Sequence, residues 1–466
     1  MKGFLGILLL IVFFAFACEK EEIYNKPDAK LEFSTDTVMF DTIFTNIGSA
    51  TRYLTIKNPY KQSLVINSIQ LAGGTSSPYR LNIDGISTHL IEDIELSSKD
   101  SIYIFVEVTI DPNNTSSPLV IKDSVLFNIN ENQQDIKLIS WGQDVHLINE
   151  EIIGNEVWTN DKPYLIYNSM LVDTNRHLQI LPGTKLYFHK GSRLFVAGKL
   201  TAEGTFDEPV LFSGDRLEDS YEDVPGQWDG IWFMPGSSGS VLNHVHLQNA
   251  IIGAQVDTFA TADEYTLEIY NSKIENMTYA GVFAQGARMK VANTVIANCG
   301  EFAAALTIGG SYEFFHSTLA NNWGISTRIS PSLYLNNYYT DINGNTQLRA
   351  LEKAFFGNCI IYGNKKDELI IDQADGAELN YYFDHCLVRI EEDLPAAQPD
   401  NFRNIIRNEA PNFVDSYIGN YELDSLSPAI DRGNADIGLL YPVDLNNESR
   451  IEDEAPDLGA YERIEN

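Results

Sequence analysis

"LQILPGTKLYFHKGSRLFVAGKLTAEGTFDEPVLFSG" occupies Leu178–Gly214. Apolar residues arrive in short alternating bursts: Leu186 and Phe188, Leu194 and Val196, Leu200 and Ala202, Val210 and Phe212. Alternation of period two marks a strand with one buried face. Gly183, Gly191, Gly198 and Gly204 punctuate the bursts, as tight turns between strands require. The architecture must therefore deliver a strand about every eight residues, with almost nothing between one strand and the next.

The same rhythm continues downstream and becomes periodic. Six segments align on one column: "HVHLQN" at His244, "NSKIEN" at Asn271, "NTVIAN" at Asn293, "HSTLAN" at His316, "NCIIYGN" at Asn358 and "HCLVR" at His385. Their intervals are 27, 22, 23, 42 and 27 residues. A period of 20 to 30 in β-rich sequence indicates a solenoid. Rungs of three short strands and three turns predict a right-handed parallel β-helix, stacked at about 4.8 Å per rung. No rung buries its inner face alone, so several must stack.

Each column then has an expected role. The fourth position (Leu247, Ile274, Ile296, Leu319, Ile361, Val388) is the core ladder. The sixth holds Asn249, Asn276, Asn298 and Asn321, whose amides can satisfy turn backbone along the axis. The first holds three histidines separated by asparagine rungs, which favours a structural role over a metal site. Lys273, Val295, Thr318 and Ile360 face outward, as do Glu275, Ala297, Ala320 and Tyr362; Glu275 and Ala297 are expected to tolerate polar substitution. Cys359 and Cys386 share the second column in neighbouring rungs. A cross-rung disulfide fits that spacing, but two buried thiols filling a small-residue column are the preferred reading. The long interval between His316 and Asn358 predicts an insertion, a loop or hairpin projecting from the stack.

"LPGTKLYF", "GSRLFVAGKLTAEGT", "PVLFSG" and "WDGIWF" together resemble the entry rungs of bacterial pectate-lyase-like β-helix proteins. A second resemblance lies upstream. From Leu31 to Gln143 the chain reads as strands Arg52–Lys57, Leu64–Leu71, Tyr79–Ile83, Ile102–Ile110, Asp123–Ile129 and Asp135–Ser140, a spacing that indicates a β-sandwich. "FTNIGSATRYLTIKN", "LVINSIQLAGG", "VEVTIDP" and "IKLISWGQ" resemble immunoglobulin-like modules of the ASPM/SPD-2/Hydin type, which implies a spacer or binding module rather than an enzyme. A third lies downstream. "SPAIDRGN" and "DLGAYE", within "APNFVDSYIGNYELDSLSPAIDRGN" and "APDLGAYERIE", are similar to the choice-of-anchor Q region. It is expected to cap the open last rung, whose strand edges would otherwise invite aggregation. The expected organisation is a signal over 1–17, an acidic tether over 18–29, a sandwich over 30–146, a β-helix over 150–395 and a cap over 396–466. The fold class is all-β.

The start of the chain suggests where it works. Lys2 precedes a 14-residue apolar run, Phe4–Ala17. That run is short for a membrane span and reads as a secretory signal. Ala15-Phe16-Ala17-Cys18 resembles a bacterial lipobox, which implies lipidation at Cys18 and attachment to the outer membrane. The alternatives are an ordinary cleaved signal or a short anchor. Glu19, Lys20, Glu21 and Glu22 resemble an acidic signal for display on the cell surface; a periplasm-facing anchor is the alternative. With 32 basic and 65 acidic residues, the net charge is −33. Such a chain repels phosphate backbones, which excludes nucleic acid as a partner. Apart from Cys18 only three cysteines remain, too few for a disulfide-stapled fold.

No catalytic set is legible. A lyase needs a base and a cation, and a hydrolase two carboxylates set across the bond. The chain has no Asp-Asp doublet and no recognisable calcium cluster. Lys273, Arg288 and Lys290 read as solvated outer face; the acidic "DRLEDSYED" at Asp215–Asp223 could hold a structural calcium, but a solvated loop is the preferred reading. No cofactor is implied. Trp323, Tyr334, Tyr338 and Tyr339, on or beside the insertion, are candidates for stacking against sugar rings or for packing the insertion. The leading expectation is a non-catalytic surface lipoprotein whose β-helix binds polysaccharide or a surface protein. A carbohydrate-active enzyme and a structural stalk or adhesin are the alternatives.

Overall fold

The computed structural model describes residues 22–45, 47–111, 119–257, 264–391, 398–452 and 454–464. They form an all-β protein of two compact units that divide between Asp144 and Val145. Cys18, Glu19, Lys20 and Glu21 lie outside the described residues, and Glu22 is exposed. No helix among the described residues is long and apolar enough to cross a membrane.

In the first unit two five-stranded sheets enclose one apolar core. One sheet is antiparallel and runs Glu32–Phe33, Arg52–Lys57, Ser101–Val108, Tyr79–Ile83, Ile86–Thr88. The other runs Thr37–Phe44, Asn132–Gln143, Leu119–Ile129, Leu64–Leu71, Leu90–Leu96, with its first pair parallel. Three of the expected strands keep their bounds. The other three start earlier, and two are longer than read, because cross-strand pairing carries polar ends such as Asn132 and Gln133 into the ladder. Thr37–Phe44 and Leu90–Leu96 escaped the sequence reading. The second is an edge strand, mostly exposed and acidic, so its pattern carries little hydrophobic signal.

The second unit is built from three parallel ladders. The first runs from Glu156–Trp158 to Phe402–Arg403. The second runs from Lys185–Phe188 to Ile406–Arg407, and the third from Arg193–Val196 to Leu369–Asp372. Leu178–Gly214 supplies strands to each in turn: Lys185–Phe188, Arg193–Val196, Lys199–Glu203, then Val210–Gly214 back in the second ladder. Close stacking explains its glycines. A Cβ on Gly204 would lie 2.3 Å from the His244 carbonyl oxygen of the next rung, and Gly191 turns with φ +77°. The core column reads Leu186, Phe212, Leu247, Ile274, Ile296, Leu319, Ile361, Val388 in continuous register, and all eight are buried.

The polar columns are corner devices. His244, Asn271, Asn293, His316, Asn358 and His385 all take left-handed backbone, with φ between 42° and 55°. Asn and His are among the residues that tolerate this region best. Their side chains link along the axis: Asn293 to Asn271 at 3.2 Å, Asn358 to His316 at 3.0 Å, Asn404 to His385 at 3.0 Å. Asn249, Asn276 and Asn298 are left-handed too; Asn321 is not, and instead accepts from the Cys299 amide and donates to the Glu301 carbonyl. In the second column Ser272, Thr294, Ser317, Cys359 and Cys386 each donate back to the carbonyl two residues earlier. The two thiols stand in for hydroxyls and are unbridged. Burial pushes the Cys386 thiol far up, and Cys299 to about 12, so neither is a reactive thiolate.

The C-terminal segment differs from the expected cap. Phe402–Arg403 and Ile406–Arg407 pair on the stack as end strands of their sheets. The chain then runs back along the outer flank of the second ladder. Asn293 donates to the Val443 carbonyl at 2.8 Å, the Ala460 amide to Thr318 Oγ1 at 3.0 Å, and the Gly459 amide to the Asn358 carbonyl at 2.8 Å. Tyr421, Leu445, Ala460 and Tyr461 cover Val295, Ala297 and Ala320. Leu423, Ala429 and Leu458 cover Ile360 and Leu387. Ala297 faces out of the stack as expected but is 0% exposed, so its expected tolerance of polar substitution does not hold.

Candidate functional site

The outward face of the second ladder is polar at one end and apolar at the other. His246 pairs in register with Lys273, and Gln248 with Glu275; the next rungs continue with Val295 and Ala297. The C-terminal segment seals the apolar part and only borders the polar part, which forms the floor of a groove of about 710 Å³. His246 Nε2 lies 3.3 Å from Glu275 Oε2. Lys273 Nζ stands 5.9 Å from the centre of the Tyr461 ring.

Three loops wall this floor. Glu222 and Asp223 come from the acidic loop, held by Asn249 donating to the Glu222 carbonyl at 2.7 Å and Asn276 to Asp223 Oδ1 at 3.2 Å. The sixth-column asparagines therefore place the loop as well as turning the chain. Trp323 and Ile325 come from the start of the insertion, and Tyr417 and Ile418 from the C-terminal segment. Asp415 accepts from the Tyr417 amide at 3.1 Å, and Tyr417 is 94% exposed. Phe206, from the quoted stretch, is 51% exposed at another edge.

The four aromatic candidates are not one platform. Trp323 is buried, donates to Ser326 Oγ at 2.9 Å and backs the groove wall. Tyr334 and Tyr338 both donate to Asp372 Oδ2, at 2.6 and 2.7 Å; burial together with this carboxylate raises the Tyr334 hydroxyl above its ordinary range, and the carboxylate raises that of Tyr338. Tyr339 lies under Arg349. Tyr338–Thr340 pairs with Thr346–Leu348, so the insertion includes a hairpin. The insertion is anchored by Arg328, which holds Glu368 with two bonds of 2.6 and 2.8 Å, both side chains buried. Arg288 and Lys290 belong to the first ladder beside Tyr265, away from Lys273. Among the described residues no three His, Cys, Asp or Glu side chains group so as to hold a metal ion. Asp215 instead accepts from His189 at 2.7 Å, and Arg216 clasps Glu218.

His246, Glu275, Phe206 and Tyr417 were missed as site residues. Glu275 and Lys273 stood in columns read as outward, but the walls that make a groove of them come from segments distant in the chain.

A buried charge cluster fixes the C-terminal segment beside this groove. Arg450 donates to Glu462 Oε2 at 2.9 Å and to Asn293 Oδ1 at 3.3 Å. Asp444 accepts from the Glu462 amide, and Asp457 from the Asp431 amide. Burial pushes Asp457 up to about 6 and, with Asp457 beside it, Glu462 up to about 8.

By fold and site, the chain is an all-β protein with long parallel sheets and a polar groove on one flank. No family model and no curated protein matches it. Solved structures with local likeness include the E. coli chaperone DraB (13% identity, 26% of this chain, 56% of that one, TM-score 0.18). A family 123 glycoside hydrolase from Clostridium perfringens matches at 6% identity over 25% of this chain and 26% of its own, TM-score 0.18. The Salmonella enterica SafA pilin in complex with the SafB chaperone matches at 14% over 25% and 56%, TM-score 0.18. The chain thus spans about half the length of the two chaperone-related structures. At that TM-score these likenesses define neither fold nor activity.

Proposed function

We propose that this chain is a surface lipoprotein in which an immunoglobulin-like sandwich precedes a right-handed parallel β-helix, and that the groove on the β-helix flank binds polysaccharide without cleaving it. The observation that carries the reading is the composition of the groove. Its floor offers donors and acceptors of both kinds in Gln248, Lys273, Glu275 and Asn276, while Phe206 and Tyr417 present exposed rings at its edges. Sugar rings need that combination, apolar faces to stack and polar groups to meet hydroxyls. A glycan array followed by product analysis tests it. Binding of an unmodified glycan that weakens in Phe206→Ala and Tyr417→Ala supports the reading; an array with no bound glycan removes it. Acylation of Cys18, read by mass spectrometry of the mature N-terminus, tests the anchor.

One observation favours a carbohydrate-active enzyme as the second reading. Lys273 and His246 face Glu275 and Asp223 in a single groove, which brings bases and carboxylates together as acid–base cleavage requires. Turnover of a bound glycan that disappears in Glu275→Gln or Lys273→Ala would establish it.

A further inference from the structure

The first unit carries a surface that neither the groove nor the anchor explains. Tyr53, Tyr103 and Phe105 lie on the outer face of one sheet and are 63%, 53% and 40% exposed. Their ring centres form a triangle of 5.8, 6.3 and 6.3 Å, with Tyr103 and Phe105 within 19° of parallel. Beside this apolar strip runs a polar one. In register across the strands, Tyr53 neighbours Phe105, Phe105 neighbours Asn82, and Asn82 neighbours Ser87. One step along, Glu107 neighbours Arg80. Over the polar strip, with Phe105 at its edge, lies a cavity of about 430 Å³ bordered also by Arg80, Asn82, Glu107 and His89. The Nδ1 atom of His89 is buried there without a hydrogen-bond partner.

We infer that this face is a second binding site, one for an uncharged oligosaccharide. Three exposed rings in a strip match the apolar C–H faces of successive sugar residues, which aromatic faces attract. The flanking strip supplies donors and acceptors for hydroxyl edges, and its one base and one acid balance. An anionic polymer would meet a chain of net charge −33 and be repelled. A protein partner fits less well. At these exposures the three rings offer roughly 300 Å², well short of the ~800 Å² that each side of a stable protein interface buries. The inference stands apart from the groove, which belongs to the other compact unit.

The test uses the full chain and defined probes: cellohexaose, xylohexaose, laminarihexaose and chitohexaose as neutral ligands, and hexagalacturonate as the anionic one. Calorimetric titration is run on the parent and on four variants, each checked for an unchanged melting temperature. Binding of at least one neutral hexasaccharide is expected. It should weaken about tenfold or more in Tyr53→Ala/Phe105→Ala, persist in Tyr53→Phe/Tyr103→Phe, and weaken in Arg80→Met. The three variants of this face are also measured in the Phe206→Ala/Tyr417→Ala background, where the groove is disabled and the binding that remains belongs to this face. Four results would overturn the inference: no neutral ligand binds in the groove-disabled background, binding there survives the added Tyr53→Ala/Phe105→Ala change, hexagalacturonate binds tightest through these residues, or sedimentation shows self-association that the double alanine variant abolishes.

Discussion

Ile274, Glu275 and Ala297 show how strongly a single position in a stacked rung depends on what lies against it. Ile274 points into the core and is 1% exposed. Truncation to Ala should cost about 2–5 kcal/mol by chemical denaturation, whereas Glu275→Ala, at the groove floor, should cost far less. Ala297 faces the opposite way from the core, yet Ala297→Asp should destabilise as a core change does, because an unpaired carboxylate would be buried under the C-terminal segment. Equal tolerance at Glu275 and Ala297 would show that the segment does not cover the flank in solution. Glu462 makes a pH-dependent case. Its carboxyl is raised in the folded state from an ordinary value near 4.5 to about 8, so the folded chain holds a proton that the unfolded chain has lost. The contribution is fully present below about 4.5 and is lost as pH rises through about 8. The melting temperature of the second unit should therefore fall across that window, and Glu462→Gln should flatten the slope.

The C-terminal segment shows the same dependence at the scale of an element. It forms few strands of its own and is held by what it covers. Tyr461 is 4% exposed against the flank, and Tyr461→Ala should cost about 3 kcal/mol or more and open the segment to limited proteolysis while the stacked rungs stay resistant. If the rungs are cleaved at the same rate, the segment and the stack are a single cooperative element. The rungs were legible because one short pattern recurs, and each recurrence fixes inward, outward and corner positions together. The location of the C-terminal segment was not, because contacts such as Gly459 to Asn358 span the chain without periodicity. One signal was available: Val295, Ala297 and Ile360 are apolar at outward positions, which a stack open to water would fill with polar residues. The groove was hidden for the same reason, since Tyr417 and Leu445 reach it only through that segment.

At the scale of the whole molecule, each compact unit closes its own apolar core. Units with separate cores are expected to unfold separately. Calorimetry should resolve two transitions, and Leu54→Ala in the first unit should lower one of them alone; a single transition that shifts as a whole would show that the two cores are coupled. Repeat arrays ordinarily change length freely across homologues, since each unit meets only its neighbours. Here the returning C-terminal segment meets Asn293, Thr318 and Asn358 at once, so it measures the array like a gauge. An extra rung engineered between Asn293 and Asn358 would move one of the three partners a rung away from the other two and should fail to give soluble protein. The same rung placed before Leu178 meets none of them and should be accommodated. This half of the array is therefore closed to growth by duplication, and any lengthening of the lineage would have to enter at the N-terminal end.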